Sequence, residues 1–200
     1  GGAPGFGGAA GGFMEVFATA HDALFTQSQL KAGERLLVNG AAGGVGVAAV
    51  QLGVALGAHV SATARHHHDE LRAMGADLEP DGRYDVILEL VGGGNLATDV
   101  ERLATKGRLA VIGVGAGATQ EINFHLLMRA RGRIHGSTLR SRSPEEKADV
   151  VARLRDDVLP LLADGRVRVP VEATFALEDA QEAYERFAAG GKFGKLVLTA

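Results

Sequence analysis

The 200-residue sequence contains no cysteine and no tryptophan, and only 5% of its residues are aromatic. The absence of cysteine excludes disulfides, thiolate zinc sites and a cysteine nucleophile. No uninterrupted apolar stretch reaches membrane-spanning length, and no basic segment followed by an apolar one predicts a secretory signal. The formal net charge of −3 gives no global electrostatic argument for nucleic-acid binding. We therefore expect a cytoplasmic protein that binds neither membranes nor nucleic acid.

Glycine, in contrast, is abundant: it accounts for 29 residues, many of them in the opening stretch "GGAPGFGGAAGG". Such a composition is typical of a flexible segment, so residues 1–12 are predicted to be a Gly-rich tail. Apolar residues then recur at helical spacing, which predicts a first helix from about Phe13 to about Leu30. Residues 13–200 are predicted to form one domain.

Strand-like and helix-like segments alternate through this domain. Runs such as "RLLVN", "YDVILEL" and "GRLAVIGVG" are continuously apolar, as expected for strands covered by helices on both faces. The alternation predicts an α/β fold with a doubly wound parallel sheet. "NLATDVERLATKG" is predicted to be a helix that ends at Gly107. The third strand has room only for "DLE", which predicts a simplified corner of the sheet.

The stretch "NGAAGGVG", residues 39–46, follows the strand "RLLVN" and precedes a helix. A helix N-terminus offers unpaired N–H groups to phosphate oxygens, provided that no Cβ blocks their approach. Gly43 and Gly44 would keep that path open, and Gly46 would let the helix pack closely on the strand. The stretch therefore predicts a pyrophosphate site. The alternative is a tight turn without a ligand.

The end of the second strand indicates which dinucleotide is preferred. "HVSATARHHHDE" places Ala64 and Arg65 where NAD-specific folds carry a carboxylate, so NADP is predicted. Arg65 can bind a 2′-phosphate through two N–H groups, with His66 assisting. The alternative for Arg65 is an ordinary surface cation. For the triplet of residues 66–68, a solvated loop is favoured over a metal site, since consecutive residues seldom point at one ion.

Several motifs in order resemble one known family. "VNGAAGGVGVAAVQLGVALGAHV", "GRLAVIGVGAG", "IHGSTLRSRS" and "GKFGKLVLTA" resemble medium-chain dehydrogenase/reductases, with the nearest likeness to zinc-free, zeta-crystallin-type quinone oxidoreductases. The resemblance covers about residues 13–200. It implies a Rossmann cofactor domain and hydride transfer from NADPH to a small-molecule acceptor, either a quinone or an α,β-unsaturated carbonyl compound.

The resemblance also implies a set of cofactor-binding residues. These are Ala42, Gly43, Gly44 and Val45 at the pyrophosphate, Arg65 at the 2′-phosphate, Asn95 near the ribose, and Thr19, Val111, Ile112, Gly113, Ser137, Thr138 and Leu139 beside the nicotinamide. Val111 and Ile112 are equally explained as core strand residues, and Thr19 as a helix-packing residue. Glu15 occupies the place where zinc-dependent relatives carry a cysteine ligand, so zinc-dependent alcohol oxidation is rejected. No catalytic residue is assigned.

Three further expectations follow from the resemblance. The family's N-terminal catalytic lobe is not represented, which predicts a fragment or one part of a split enzyme. The segments "VPVEATF" and "KLVLTA" would then have lost the strand partners that this lobe supplies in the family. An edge strand like "RIHGSTL" predicts a homodimer. The alternatives to a quinone reductase are an enoyl reductase of the polyketide synthase type, and a nucleotide-binding or oligomerisation module without turnover of its own.

Overall fold

The computed structural model describes residues 6–199, with side chains from Gly12 onward. A π-helix, Asp22–Gln27, extends the first α-helix, and a short 3-10 helix, Leu177–Asp179, precedes the last one. The helices are α1 Phe6–His21, α2 Gly44–Leu56, α3 His68–Ala73, α4 Asn95–Glu101, α5 Phe124–Ala130, α6 Pro144–Asp157, α7 Leu159–Ala163 and α8 Ala180–Ala188. The strands are β1 Arg35–Asn39, β2 His59–Thr63, β3 Tyr84–Glu89, β4 Leu103–Val111, β5 Arg133–Gly136, β6 Val171–Ala176 and β7 Lys195–Thr199.

Five parallel strands form the main sheet in the order β2-β1-β3-β4-β5. The chain moves outward from β1 to β2 and then crosses back to β3 on the other side of β1. The order therefore reverses between β1 and β3, which is the arrangement of a doubly wound sheet. This confirms the predicted α/β fold class.

Helices cover both faces of this sheet, and successive residues of β1 point to opposite faces. Leu36 and Val38 lie in the larger core, which also contains Phe13 and Phe17 of α1. Leu37 lies in the smaller core on the opposite face, with apolar side chains of β3, β4, α4 and α5. Burial on both faces explains why the strands are continuously apolar.

The first helix begins earlier than the sequence predicts. The backbone of residues 6–12, expected to belong to the flexible tail, forms the first turns of α1. Gly12 is buried, and a Cβ there would lie 2.8 Å from Cγ of Lys195, so the small residue permits close packing against β7. Tertiary packing thus outweighs the poor helix propensity of glycine. Residues 1–5 of the predicted tail lie outside the described residues.

The predicted helix ending at Gly107 is also too long. α4 ends at Glu101, and Leu103 already pairs with Tyr84 of β3. The register shifts between Tyr84 and Val86, and Val86 pairs with Arg108, so the intervening residues form an irregularity within β4. The predicted third strand "DLE" is reduced to one bridge between Ser61 and Asp77, which agrees with the expected simplified corner.

A second sheet contains β6 and β7, which pair with each other in parallel. The segments "VPVEATF" and "KLVLTA", expected to have lost the strand partners of the family's N-terminal lobe, thus pair with each other. The 3-10 helix and α8 make the crossover between these strands, as parallel pairing requires. Among the described helices, none combines the length and the apolar character that crossing a membrane would require.

Candidate dinucleotide-binding site

The glycine-rich turn joins β1 to α2 at the carboxyl edge of the sheet. Gly40 adopts a φ of +78°, and the N–H groups of Gly40 and Ala41 donate to the Thr63 carbonyl at 3.1 and 2.9 Å. Gly43 is the N-cap of α2 and supplies no side-chain acceptor. The N–H groups of the first helical turn therefore remain available to a ligand. The turn follows a strand at the reversal of strand order, which is where α/β sheets bind ligands.

The glycines of this turn have different steric roles. A Cβ on Gly43, which is exposed, would meet only the Gly40 carbonyl oxygen, at 3.6 Å. A Cβ on Gly46 would lie 2.6 Å from both Ala41 Cα and the Gly40 oxygen, so Gly46 permits the close approach of α2 to the residues that follow β1. A Cβ on Gly44 would lie 2.9 Å from a methyl group of Val16. The space at Gly43 and the uncapped N–H groups fit a dinucleotide diphosphate, and Ala42 and Val45 flank them in the same turn.

The predicted 2′-phosphate residues follow the end of β2. Arg65 and His66 are both exposed. The neighbouring His67 is less exposed: its Nδ1 lies 3.0 Å from a carboxylate oxygen of Glu70, and its Nε2 lies 2.9 Å from the Gly191 carbonyl oxygen. These two acceptors, the Glu70 carboxylate foremost, raise the pKa of His67 above its usual value. The charged form of His67 is thereby favoured beside Arg65.

The histidine triplet has structural contacts that the sequence did not reveal. The His67 ring lies 5.1 Å from the Phe193 ring, centroid to centroid, and Nε2 of His68 donates to the Ala64 carbonyl at 2.9 Å. Within residues 6–199, no group of three or more histidine, aspartate or glutamate side chains is placed to hold a metal ion. Glu15 instead pairs with Lys195, with 2.9 Å between Oε2 and Nζ.

A buried polar cluster lies beneath the ends of β1 and β3. Asn39 ends β1, Glu89 ends β3, and Asp99 lies on α4, which begins at the half-buried Asn95 predicted for the ribose. Nδ2 of Asn39 donates to both carboxyl groups, each at 2.8 Å. Oδ1 of Asn39 accepts from the Thr63 hydroxyl at 2.9 Å. Sequence reasoning missed these three residues, the Asn39–Glu89–Asp99 cluster, although polar side chains at the ends of apolar strands were a visible signal.

Burial and charge repulsion make Asp99 an unusual carboxyl group. Desolvation, followed by the hydrogen bond and the negative charge of Glu89, raises the pKa of Asp99 to about 8. Asn39 and Arg102 act in the opposite direction. Oδ2 of Asp99 is buried and has no hydrogen-bond partner within the described residues. The raised pKa favours the protonated form of Asp99 at neutral pH.

The predicted nicotinamide residues of β4 lie where this strand passes the end of β3. Val111 ends the strand, and the N–H groups of Ile112 and Gly113 donate to the Glu89 carbonyl at 2.9 and 3.1 Å. A Cβ on Gly113 would overlap the Leu90 carbonyl, so the packing of these two strand ends by itself requires glycine. All three predicted residues are partly buried.

The predicted segment Ser137, Thr138 and Leu139 follows β5. The Ser137 hydroxyl donates to Asp22 Oδ2 at 3.2 Å, and both terminal nitrogens of Arg142 donate to the Asp22 carboxylate, at 2.9 and 2.6 Å. Asp22 is 1% exposed. The ion pair joins the segment after β5 to the π-helix that follows α1. Asp22 and Arg142 were not predicted, although an acidic residue within the apolar "ATAHDALF" stretch was a signal.

Two of these segments also meet through the backbone. The Ser137 N–H donates to the Val111 carbonyl at 3.4 Å, because β4 and β5 are neighbours. Thr19 lies one helical turn before Asp22, and its hydroxyl donates to the Glu15 carbonyl within α1 at 2.8 Å. The structure thus brings the residues after β4 and β5 together, whereas Arg65 and His66 lie at the end of β2, the opposite edge strand.

Comparison with known proteins identifies related chains. The family model described as zinc-binding dehydrogenase matches residues 56–198. The human protein named quinone oxidoreductase is 32% identical over 199 residues, which cover 90% of this chain and 59% of the human one. The spectinabilin polyketide synthase system protein NorB from Streptomyces orinoci is 34% identical over 203 residues, covering 92% of this chain and 9% of NorB.

Solved structures agree with the fold. The CurF ER cyclopropanase from the curacin A biosynthetic pathway superposes with a TM-score of 0.78 and 26% identity, covering 96% of this chain and 62% of CurF. The present chain thus spans less than two thirds of the length of these relatives.

Proposed function

The chain belongs to the zinc-binding dehydrogenase family of medium-chain dehydrogenases and reductases, and we propose that residues 13–200 are the NADPH-binding domain of a quinone oxidoreductase. The acceptor would be a quinone or an α,β-unsaturated carbonyl compound. One observation carries the proposal: the uncapped N-terminus of α2 faces open space at Gly43, at the reversal of strand order. The relative named quinone oxidoreductase supports the choice of acceptor.

The residues of this chain would bind and orient the cofactor. When bound, NADPH would supply a hydride to the acceptor, which would take a proton from water. The N–H groups at the start of α2 would hold the diphosphate. The segments after β4 and β5, joined by the Ser137 N–H to the Val111 carbonyl, would flank the ring and shield it from water. Asn95, at the start of α4, would face the ribose.

The preference for NADP rests on Arg65. This side chain is exposed after β2, and no carboxylate lies between Thr63 and Arg65 to repel a phosphate or bind a ribose hydroxyl pair. Arg65→Ala is expected to weaken NADPH binding by about 1–3 kcal/mol while barely changing the affinity for NADH. Calorimetric titration of both cofactors tests this, with the exposed Arg72→Ala as the matched control. Equal losses for the two cofactors would contradict the assignment.

Enoyl reduction is the second candidate activity. The 34% identity with NorB, a polyketide synthase protein, favours it. A screen of quinones against enoyl thioesters, with NADPH oxidation followed at its absorbance maximum, separates the two activities. NADPH binding without oxidation by either acceptor class would instead support a nucleotide-binding module without turnover of its own.

The proposal includes a homodimer formed through β5 in the cytoplasm. β5 is an edge strand of the main sheet, and Phe124 and Met128 on the preceding helix are 66% and 70% exposed. Unpaired strand edges and exposed apolar side chains favour association. Light scattering is expected to give twice the chain mass, and a strictly monomeric species would refute this part. A chain without cysteine can form no disulfide, and its composition is compatible with the cytoplasm.

A further inference from the structure

Strands β1 and β3 and helix α4 meet at the Asn39–Glu89–Asp99 cluster. Asn39, Glu89 and Asp99 are 4%, 0% and 2% exposed, so water does not solvate them. The side-chain amide of Asn39 has two N–H groups, and each carboxyl group receives one of them. No donor among the described residues is left for the second oxygen of Asp99. One further proton is needed to complete the cluster.

That proton is best placed on Asp99. Two ionised carboxylates facing one neutral amide would be unpaired charges in a low-dielectric site, which is strongly unfavourable. A proton on Asp99 removes one charge and provides an O–H donor for Glu89. The negative charge is better stabilised on Glu89, because its Oε1 also accepts from the N–H groups of Val91 and Gly92 at 2.5 and 2.7 Å.

The cluster reaches the ends of four strands. The Glu89 carbonyl accepts from the N–H groups that follow β4, its side chain holds the turn that follows β3, and Asn39 joins β1 to the hydroxyl of Thr63 on β2. Asn39 immediately precedes Gly40, where the glycine-rich turn begins. A change in the hydrogen bonds of this cluster would therefore move the backbone at these strand ends and at the glycine-rich turn.

We propose that Asp99 is a positioning residue whose proton holds the strand ends in the geometry that binds the dinucleotide, so that cofactor affinity is lost when Asp99 ionises. The inference rests on the proposed function. Because Asp99 is 2% exposed, it would touch neither cofactor nor acceptor and would act only through Asn39 and Glu89. The raised pKa of Asp99, about 8, places the transition just above neutral pH.

Other charged groups near α4 are engaged elsewhere or face solvent. Arg102, at the end of α4, acts on Asp99 and favours its ionised form, which limits the rise of the pKa. On β4, Arg108 is bound to Glu34 at 2.8 Å. On β3, which also packs on α4, Tyr84 is fully buried and the Asp85 carboxylate accepts from the Arg35 N–H at 2.9 Å. Lys106 on β4 and His125 and Arg129 on α5 are exposed.

The decisive variant is Asp99→Asn, which keeps the shape and the two hydrogen-bonding functions of the protonated acid but cannot ionise. Cofactor affinity is measured by calorimetry from about pH 7 to about pH 9.5. If only the protonated form binds, wild-type affinity falls by about thirtyfold over this range, since the pKa is about 8. The affinity of Asp99→Asn is expected to stay constant over this pH range. Glu101→Gln, which changes an exposed carboxylate on the same helix, is expected to show the same decrease in affinity as wild type.

A second readout does not depend on the cofactor. The folded chain keeps a proton that unfolded Asp99 releases near its ordinary pKa of about 4. The wild-type free energy of unfolding therefore falls as pH rises from about 4 to about 8, relative to Asp99→Asn. If no nicotinamide cofactor binds at any pH, the proposed function fails, and this difference in unfolding still reports whether Asp99 carries the proton.

Parallel pH profiles of affinity for wild type and Asp99→Asn would overturn the inference, and so would a difference in unfolding free energy that does not vary with pH. If Asp99→Asn does not fold, the pH dependence of cofactor affinity is measured for Glu89→Gln instead. Removing the neighbouring charge is expected to shift the midpoint of the affinity transition to lower pH, whereas an unchanged midpoint would contradict a shared proton.

Discussion

Replacing either of two glycines in the turn by alanine separates ligand binding from folding. At Gly46 an added Cβ would lie within 2.7 Å of three backbone atoms of residues 40 and 41. Backbone cannot rotate away as a side chain can, so the turn or α2 must move. Overpacking of this kind costs about 1–3 kcal/mol. Gly46→Ala is therefore expected to destabilise the apo chain by roughly that amount in urea denaturation, and to weaken cofactor binding as a consequence.

Gly43→Ala is the matched variant. Its Cβ would have only one neighbour, at 3.6 Å, and its φ of −74° is open to any residue. Replacing glycine by alanine at an N-cap costs a few tenths of a kcal/mol up to about 1 kcal/mol, so the apo chain should remain nearly as stable as wild type. The Cβ would nevertheless stand where a diphosphate must approach the N–H groups. An affinity loss of at least about tenfold is expected by calorimetry, or about 1.4 kcal/mol.

Wild-type affinity in Gly43→Ala would refute the assignment of the diphosphate to this helix N-terminus. Wild-type stability in Gly46→Ala would refute the steric argument for closure of the turn. The two results are independent, because Gly46→Ala is tested by the stability of the apo chain and Gly43→Ala by its affinity for the cofactor.

Three further predictions concern charged groups. Asp22→Asn leaves the buried end of Arg142 without its carboxylate, so a loss of about 3–5 kcal/mol in unfolding free energy is expected by denaturant titration. The pKa of His67 is raised, so its NMR titration midpoint should lie above about 6.5; its stabilising contribution is complete below that pH and is lost as pH rises through the folded-state value. Glu15→Gln breaks an exposed pair with Lys195, and thermal unfolding is expected to show a loss of less than about 1 kcal/mol.

The sequence predicted the main sheet well because burial on both faces leaves a local signal. Continuous apolar runs such as the one around Ile87 are hard to place anywhere but in a covered parallel strand. The start of α1 and the start of β4 were misplaced for a different reason. Glycine disfavours helix locally, and the packing of Gly12 against Lys195 is a contact distant in sequence that the local pattern does not show. Likewise Leu103 joins β4 through its pairing with Tyr84, a contact distant in sequence.

In the candidate site, too, features specified by a short local segment were predicted and features that depend on distant residues were not. The glycine-rich turn was predicted, because a short segment between a strand and a helix specifies its own geometry. The family resemblance itself is confirmed by the match over residues 56–198. The Asp22–Arg142 pair and the Asn39–Glu89–Asp99 cluster were missed, since their partners lie 120, 50 and 60 residues apart along the chain. A polar residue within or at the end of an apolar segment signals that it is unusual, but it does not reveal which distant residue is its partner.

Gly113 shows why a motif alone cannot assign a binding role. The resemblance places this residue beside the nicotinamide, but the close approach of the Leu90 carbonyl would require glycine even without a cofactor. Gly43 is the opposite case, because nothing in the fold fills the space that its missing Cβ leaves. A glycine that the fold does not need is the stronger evidence for a ligand. The diphosphate assignment therefore rests on Gly43 and the N–H groups beside it, and the residues after β4 support it only through their position.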